Sequence, residues 1–313
     1  MQKILLTGSN GLLGQKLVQL ILDRGEYELI ATARGENRLP TLNTPPLRGG
    51  AGGGVFYRSL DVTDRDEVQR IMHEFKPDYV IHTAAMTNVD QCETEREACW
   101  QLNVDAVQYL AEACQTHGTL LLHLSTDFIF DGENGPYDES ARANPLSYYG
   151  ESKLAAEELL LKSQNLHFAI ARTVLVYGIA HDMSRSNIIL WVKNSLENQK
   201  PIKVVDDQWR TPTLAEDLAL GCYLMVKHNA TGIFNISGSN LLTPYEMAVQ
   251  TADFFGLDKS FMTRADSSTF TQPAKRPAKT GFVIEKARQQ LGYEPRSFTE
   301  GIALVAKQVA ASK

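Results

Sequence analysis

Cysteine is scarce in this sequence. The four present, Cys92, Cys99, Cys114 and Cys222, show no CxxC spacing and no companion histidine at metal-ligand intervals. That pattern excludes a disulfide framework and a structural zinc site, and the four read as reduced thiols. Runs of Lys and Arg are missing too; with a net charge of −6, the basic footprint of a nucleic-acid binder is absent. No stretch approaches the roughly 18 uninterrupted apolar residues of a membrane-spanning helix. The first apolar run, ILL at 4–6, passes directly into TGSNG and leaves no room for the core of a secretory signal. The expectation is a cytoplasmic protein with no nucleic-acid and no membrane partner, and a homodimer stays open.

What is present belongs to an ordinary globular chain. Of its 313 residues 43% are hydrophobic and 22% charged, and that length exceeds the roughly 250 to 300 residues one core usually spans. A large domain with a smaller one attached follows. Up to about residue 172, β-rich runs alternate with helical patterns: KILLT (3–7), YELIATA (27–33), YVIHTAA (79–85), TLLLHLS (119–125) and HFAIART (167–173). Apolar residues at three- and four-residue spacing mark helices over 12–22, 65–75, 96–116 and 149–163. Such alternation predicts βαβ units and a Rossmann-type, doubly wound parallel sheet. One segment, 38–56, is rich in Pro and Gly and reads as a long loop, either a surface insertion or a lid. Beyond 180 the pattern predicts helices at 186–197, 213–227, 243–255 and 297–311, with strands at 202–206 and 232–237. Residues 1–175 thus form a dinucleotide-binding domain and 176–313 a mainly substrate-binding, mixed α/β region, some of whose segments can return to the first.

Directly after the first strand comes TGSNGLLG, with Gly8, Gly11 and Gly14 at the mouth of a helix. Glycines let the backbone approach a pyrophosphate, and a helix N-terminus offers free N–H groups to it. Between a strand and a helix this spacing predicts a dinucleotide site, with Asn10, Leu12 and Leu13 in the same loop. At the end of the second strand, where a carboxylate would hold the ribose of NAD, the sequence reads IATARGENR. Arg34 and Arg38 there favour NADPH over NADH, while Glu36 keeps NADH open. Asp61 and Val62, after the third strand, suit the adenine; Asp61 as a helix-approach cap is the competing reading.

YYGESK at 148–153 sets Tyr149 and Lys153 four residues apart, on one helix face. A phenol titrates near 10 and needs a neighbouring cation to serve in acid–base work near neutrality. Lys153 fits that need and can also hold a nicotinamide ribose. STDFIFDG follows the fifth strand, at the carboxyl edge where open α/β sheets bind ligands. Thr126 or Ser125 there can donate to a substrate oxygen whose proton Tyr149 exchanges. In VVDDQWRTPT, Arg210 can grip a diphosphate and Trp209 can offer a packing surface. The alternative pairs Arg210 with Asp206 or Asp207 and leaves Trp209 as interdomain filling.

TGSNGLLG, HTAA (82–85), LNVDA around Asn103, STDFIFDG, YYGESK and ARTVLVYG (171–178) occur in the order found in the extended short-chain dehydrogenase/reductases, which the chain resembles over nearly its whole length. PYDE, NPLSYYGESKLAAE, DDQWRTPT and KRPAKTGF make it similar, within them, to the dTDP-4-dehydrorhamnose reductase group. The resemblance implies Thr126, Tyr149 and Lys153 as the catalytic set, Ala84, Ala85 and Asn103 beside the cofactor, and Asp127 beside a nucleotide-sugar substrate. It implies NADPH-dependent reduction of the 4-keto group of a nucleotide-linked 6-deoxysugar, with dTDP-4-dehydrorhamnose, on the way to dTDP-L-rhamnose, as the first expectation. Phe128 after Asp127 removes the base that related dehydratases use, and the missing strand-end acid argues against an epimerase. A noncatalytic NADP-binding subunit remains the rival. Val174 and Leu175 replace a Ser and a substrate-facing Trp of the group, a departure that bears on which sugar is bound. Gln15 and Lys16 stand where metal-bridged members carry Glu, so no metal is expected.

Overall fold

The computed structural model describes residues 1–39, 55–182 and 187–311. Most of the expected 38–56 loop lies outside them, and its last two residues, Val55 and Phe56, already belong to a strand. In chain order the elements begin β1 (Lys3–Thr7), α1 (Leu12–Arg24), β2 (Glu28–Ala33), β3 (Val55–Ser59), α2 (Arg65–Phe75) and β4 (Tyr79–His82). Then come α3 (Val89–Thr94), α4 (Arg96–Trp100), α5 (Ala106–His117), β5 (Leu120–Thr126), α6 (Tyr148–Lys162) and β6 (Phe168–Thr173). The remainder is β7 (Val176–Tyr177), α7 (Ile188–Glu197), β8 (Ile202–Val205), β9 (Thr213–Leu214), α8 (Ala215–Lys227), β10 (Gly232–Asn235), α9 (Pro244–Phe255), β11 (Met262–Ala265), α10 (Glu285–Leu291) and α11 (Phe298–Ala311).

Among the described residues seven parallel strands form one sheet in the order β10-β6-β5-β4-β1-β2-β3. Strand direction reverses its spatial progression between β1 and β4, the position at which Rossmann folds open a ligand crevice. Alternate side chains serve opposite faces. Ile4, Leu6, Leu29, Ala31 and Leu122 pack under α1 and α8, while Leu5, Ile30, Val80, Leu121 and Ile170 pack under α2, α5 and α6. Both faces are therefore dry, which is why these strands read as continuous apolar runs rather than alternating ones.

The helix expected over 96–116 is broken. Gln101–Asp105 form a π turn between α4 and α5, an extra residue that re-aims Asn103. Strand β10 pairs with β6 and completes the main sheet from the far end of the sequence. Two short parallel pairs, β8 with β11 and β7 with β9, lie outside it. Helix α9 starts on a capping box in which Thr243 and Glu246 satisfy each other's backbone N–H groups, with Pro244 at its first position.

Candidate active site

The glycine loop is shaped by contacts that exclude side chains. Gly8 has φ +71, and a Cβ there would stand 2.7 Å from Thr83 Oγ1 and 2.8 Å from the Ala84 nitrogen. At Gly14 it would meet the Gly8 carbonyl at 2.2 Å. No side chain caps α1 at Gly11, so its first-turn donors suit an anion. A cavity of about 400 Å³ lies beside them, lined by Asn10, Gly11, Leu12, Ala33, Arg34 and Arg38, with Ala180–Asp182 on the other side. The loop, the uncapped helix and two guanidiniums fit a dinucleotide phosphate.

Asn10 holds this wall together. Its amide donates to the Glu36 carbonyl at 2.9 Å and accepts from the Arg38 N–H at 3.1 Å. Glu36 thus contributes its backbone at this seam, whereas Arg34 and Arg38 line the cavity. Asp61 accepts two bonds from Thr63. Burial pushes its carboxyl up, but those bonds and the Arg34 charge outweigh it and leave Asp61 below its ordinary value. Val62 is buried beside it. Gln15 ties two of the lining residues together: its amide N–H groups donate to the carbonyls of Asn10 (3.0 Å) and His181 (2.9 Å), and its oxygen accepts from the His181 N–H at 2.8 Å. Lys16 pairs with Glu216. Among the described residues no group of three or more His, Cys, Asp or Glu is placed to hold a metal.

Tyr149 and Thr126 are brought together by a glycine. A Cβ on Gly150 would lie 2.2 Å from the Phe128 carbonyl; its absence lets the first turn of α6, capped by Ser147, seat directly on the turn after β5. The Phe128 and Tyr149 rings meet edge to face at 5.8 Å. The Tyr149 phenol is raised above its ordinary value by burial, against the pull of the Thr126 hydroxyl. The expected lowering by Lys153 is not what governs it. The Lys153 ammonium is drawn to the sheet instead, where Nζ stands 3.1 Å from His123 Nε2. Burial lowers Lys153 to about 8.

Thr126 was expected to donate outward. In this structure its hydroxyl donates to Asp127 Oδ1 at 3.1 Å and accepts from the Phe128 N–H at 3.3 Å. Asp127 also accepts from Thr280 and lies 3.7 Å from Arg210 Nε; burial nevertheless holds its carboxyl above the usual range. Ser125 is buried one residue earlier, its hydroxyl without a partner among the described residues.

Two of the expected site residues meet protein groups in this structure. Arg210 turns inward: its terminal nitrogens donate to the carbonyls of Trp209 (2.7 Å), Pro277 (2.6 Å) and Ala278 (3.2 Å). Only 5% of it is exposed, and its donor fork is occupied by these carbonyls. Nor does it pair with Asp206 or Asp207, which bind Arg264 and Ser267. Trp209 is exposed at the same turn. Asn103 likewise faces protein: it accepts from the Met86 N–H at 2.8 Å and donates to the Met86 carbonyl and Ser152. It braces the β4–α3 loop carrying Ala84 and Ala85 against α6.

Over residues 1–311 the sequence matches the model of the family described as RmlD substrate binding domain. It is 31% identical to a dTDP-4-dehydrorhamnose reductase of Aggregatibacter actinomycetemcomitans, over 96% of this chain and 97% of that protein. The chain belongs to this family. It is also 30% identical to a methionine adenosyltransferase 2 subunit beta of Bos taurus, over 83% of this chain and 74% of that protein. Its fold matches the crystal structure of a Bacillus anthracis dTDP-4-dehydrorhamnose reductase in complex with NADP, with a TM-score of 0.82, 25% identity and coverage of 98% and 100% of the two chains. Among the described residues no helix is long and apolar enough to cross a membrane.

Within this family member, sequence reading missed a polar layer under α6. Glu157 and Arg172, both nearly fully buried, form a bidentate pair with contacts of 2.6 to 3.2 Å. His82 and His123 stack with ring centroids 5.6 Å apart. Glu157 had a signal: it lies four residues beyond Lys153 and eight beyond Tyr149, on the same helix face. The histidines had none, because each sits in a run that reads as apolar strand.

Proposed function

We propose that this protein reduces the 4-keto group of a nucleotide-linked 6-deoxysugar with NADPH, and that dTDP-4-dehydrorhamnose is the first substrate to test. The observation that carries the reading is the seating of Tyr149 against the Thr126 turn at the carboxyl edge of the sheet, in a fold that also offers a cavity lined by the glycine loop, Arg34 and Arg38. NADPH, when bound, supplies the hydride. Tyr149 is the proton donor: a buried phenol is kept protonated near neutrality, which is the form that reduction of a ketone consumes. Thr126 orients the substrate oxygen by turning its hydroxyl away from Asp127. Lys153 holds the nicotinamide ribose from the same face of α6, and Asn103 acts indirectly, through the loop of Ala84 and Ala85.

We read Arg210 as the support of Asp127 and Thr126 rather than a diphosphate ligand, with Trp209 at the substrate rim. Residues 1–175 make the dinucleotide half. Most of 176–313 faces the sugar nucleotide, with β10 and α8 returned to the first half. Four buried thiols and a reduced cofactor suit the cytoplasm.

Likeness to methionine adenosyltransferase 2 subunit beta favours a second reading, a nucleotide-binding partner subunit without turnover. One experiment separates the two. The purified protein is mixed with NADPH and dTDP-4-dehydrorhamnose, cofactor oxidation is followed and the product sugar is identified by NMR. Oxidation coupled to a 4-hydroxy sugar supports the reductase. NADPH binding without oxidation, across a panel of nucleotide 4-ketosugars, would establish the second.

A further inference from the structure

We propose that His123 is the positioning residue of Lys153: its imidazole Nε2 accepts a hydrogen bond from the Lys153 ammonium and fixes where that ammonium stands on the inner face of α6. The inference rests on the role given to Lys153 above.

Lys153 is 2% exposed, and among the described residues no carboxylate pairs with it. Burying an ammonium without a partner costs several kcal/mol, so whatever satisfies Lys153 decides where it can stay. Glu157, one turn further along α6, acts on it only through space, as does Cys99, because Glu157 is bound to Arg172. The contact within reach is His123 Nε2 at 3.1 Å. An ammonium has only protons to give, so Nε2 must carry the lone pair and His123 must be the neutral tautomer with its proton on Nδ1. Burial, and then the Lys153 charge, keep His123 neutral.

The ring is itself held. Thr7, His82 and His123 occupy matched positions on β1, β4 and β5. They form a row across the switch point of the sheet: Thr7 Oγ1 lies 2.7 Å from His82 Nδ1, and the His82 ring stacks on His123 at 23°. Rotating the His123 ring away from Lys153 would break that stack. A Leu at 123 would fill the space and accept nothing, whereas a Gln would keep an acceptor. Residue type at 123 is therefore tied to Lys153, not only to packing.

The test uses the whole chain and two readouts. In the protein without cofactor or substrate, the ¹⁵N shifts of His123 should report the Nδ1–H tautomer, and the ¹⁵Nζ signal of Lys153 should titrate at lower pH in His123→Leu than in wild type. With cofactor and substrate, His123→Leu should lose about 10- to 100-fold in kcat, the cost of a misplaced group. The alkaline limb of its pH profile should move down, and His123→Gln should restore most of both. An Nε2–H tautomer in the wild type, or a Lys153 titration unchanged in His123→Leu, overturns the proposal. Should His123→Leu not fold, the wild-type tautomer and His123→Gln still decide it. Absence of reductase activity would sink the functional reading and leave the NMR test of His123 intact.

Discussion

Glu157 and Arg172 meet as a bidentate ion pair sealed between α6 and β6, with contacts down to 2.6 Å and exposures of 1% and 4%. Arg172 also donates to the Glu139 carbonyl at 3.2 Å and lies over the Phe130 ring. Removing one partner leaves a buried charge uncompensated, which typically costs about 3–5 kcal/mol. Glu157→Met or Arg172→Met should each lose stability on that scale, and the double variant should lose less than the sum. Urea denaturation of the four proteins checks it; strict additivity would show that the pair is not coupled.

Tyr149→Phe should lower turnover by about 100-fold or more while nucleotide affinity stays nearly constant, since a positioned proton donor is worth that much. Steady-state kinetics beside a fluorescence titration of NADPH measure the two separately. Unaltered turnover would remove Tyr149 from the mechanism.

Arg34 and Arg38 line the cavity behind the glycine loop. Arg34→Ala should weaken NADPH binding by roughly 1.5–3 kcal/mol, the range for a hydrogen bond to a charged group, with little change for NADH. Equal losses for both cofactors in calorimetric titration would mean that Arg34 does not read the extra phosphate.

Arg210 joins three backbone carbonyls and the buried Asp127. Arg210→Ala should therefore act first on stability, by about 3–5 kcal/mol, and Arg210→Lys should not rescue it, since one ammonium cannot replace the planar fork. A variant with unchanged melting temperature and a raised KM for the sugar nucleotide would instead give Arg210 the substrate role that its sequence context suggests.

Burial of Lys153 makes a pH signature. Its folded pKa of about 8 lies below the ordinary 10.5, so between those values the unfolded chain holds more protons than the folded one. Stability then rises with pH across that window. The penalty for burying the ammonium is fully present below pH 8 and relieved as the pH approaches 10.5. Relative to Lys153→Met, the wild type should gain melting temperature between pH 8 and 10.5. A constant difference across that range would show that Lys153 titrates normally.

The sheet was legible because its strands are buried on both faces and its glycine loop is a local signal: β1, β2, β4, β5 and β6 fall where short apolar runs predict them. What the sequence does not display is whatever depends on partners distant in sequence. Asn103 sits in a helical pattern, and only the π turn and the placement of Met86 and Ser152 show that its amide braces a loop. Arg210 reads as an exposed anion ligand beside two aspartates; the carbonyls of Pro277 and Ala278 that claim it are 67 and 68 residues away. The Tyr149–Lys153 spacing puts both residues on one buried face, but spacing does not reveal that a strand histidine meets the ammonium.

Gln15 both gives and takes with one neighbour: its N–H meets the His181 carbonyl and its oxygen meets the His181 N–H. A side-chain amide answers a peptide in both directions at once without carrying a charge. A carboxylate at 15 would accept from the His181 nitrogen but would press its charge against two carbonyls, those of Asn10 and His181. Position 15 is thus a choice between two incompatible wirings. As an amide it laces residue 181 to the glycine loop from within the chain; as an acid it would open that seam and turn a negative group toward whatever cation came near.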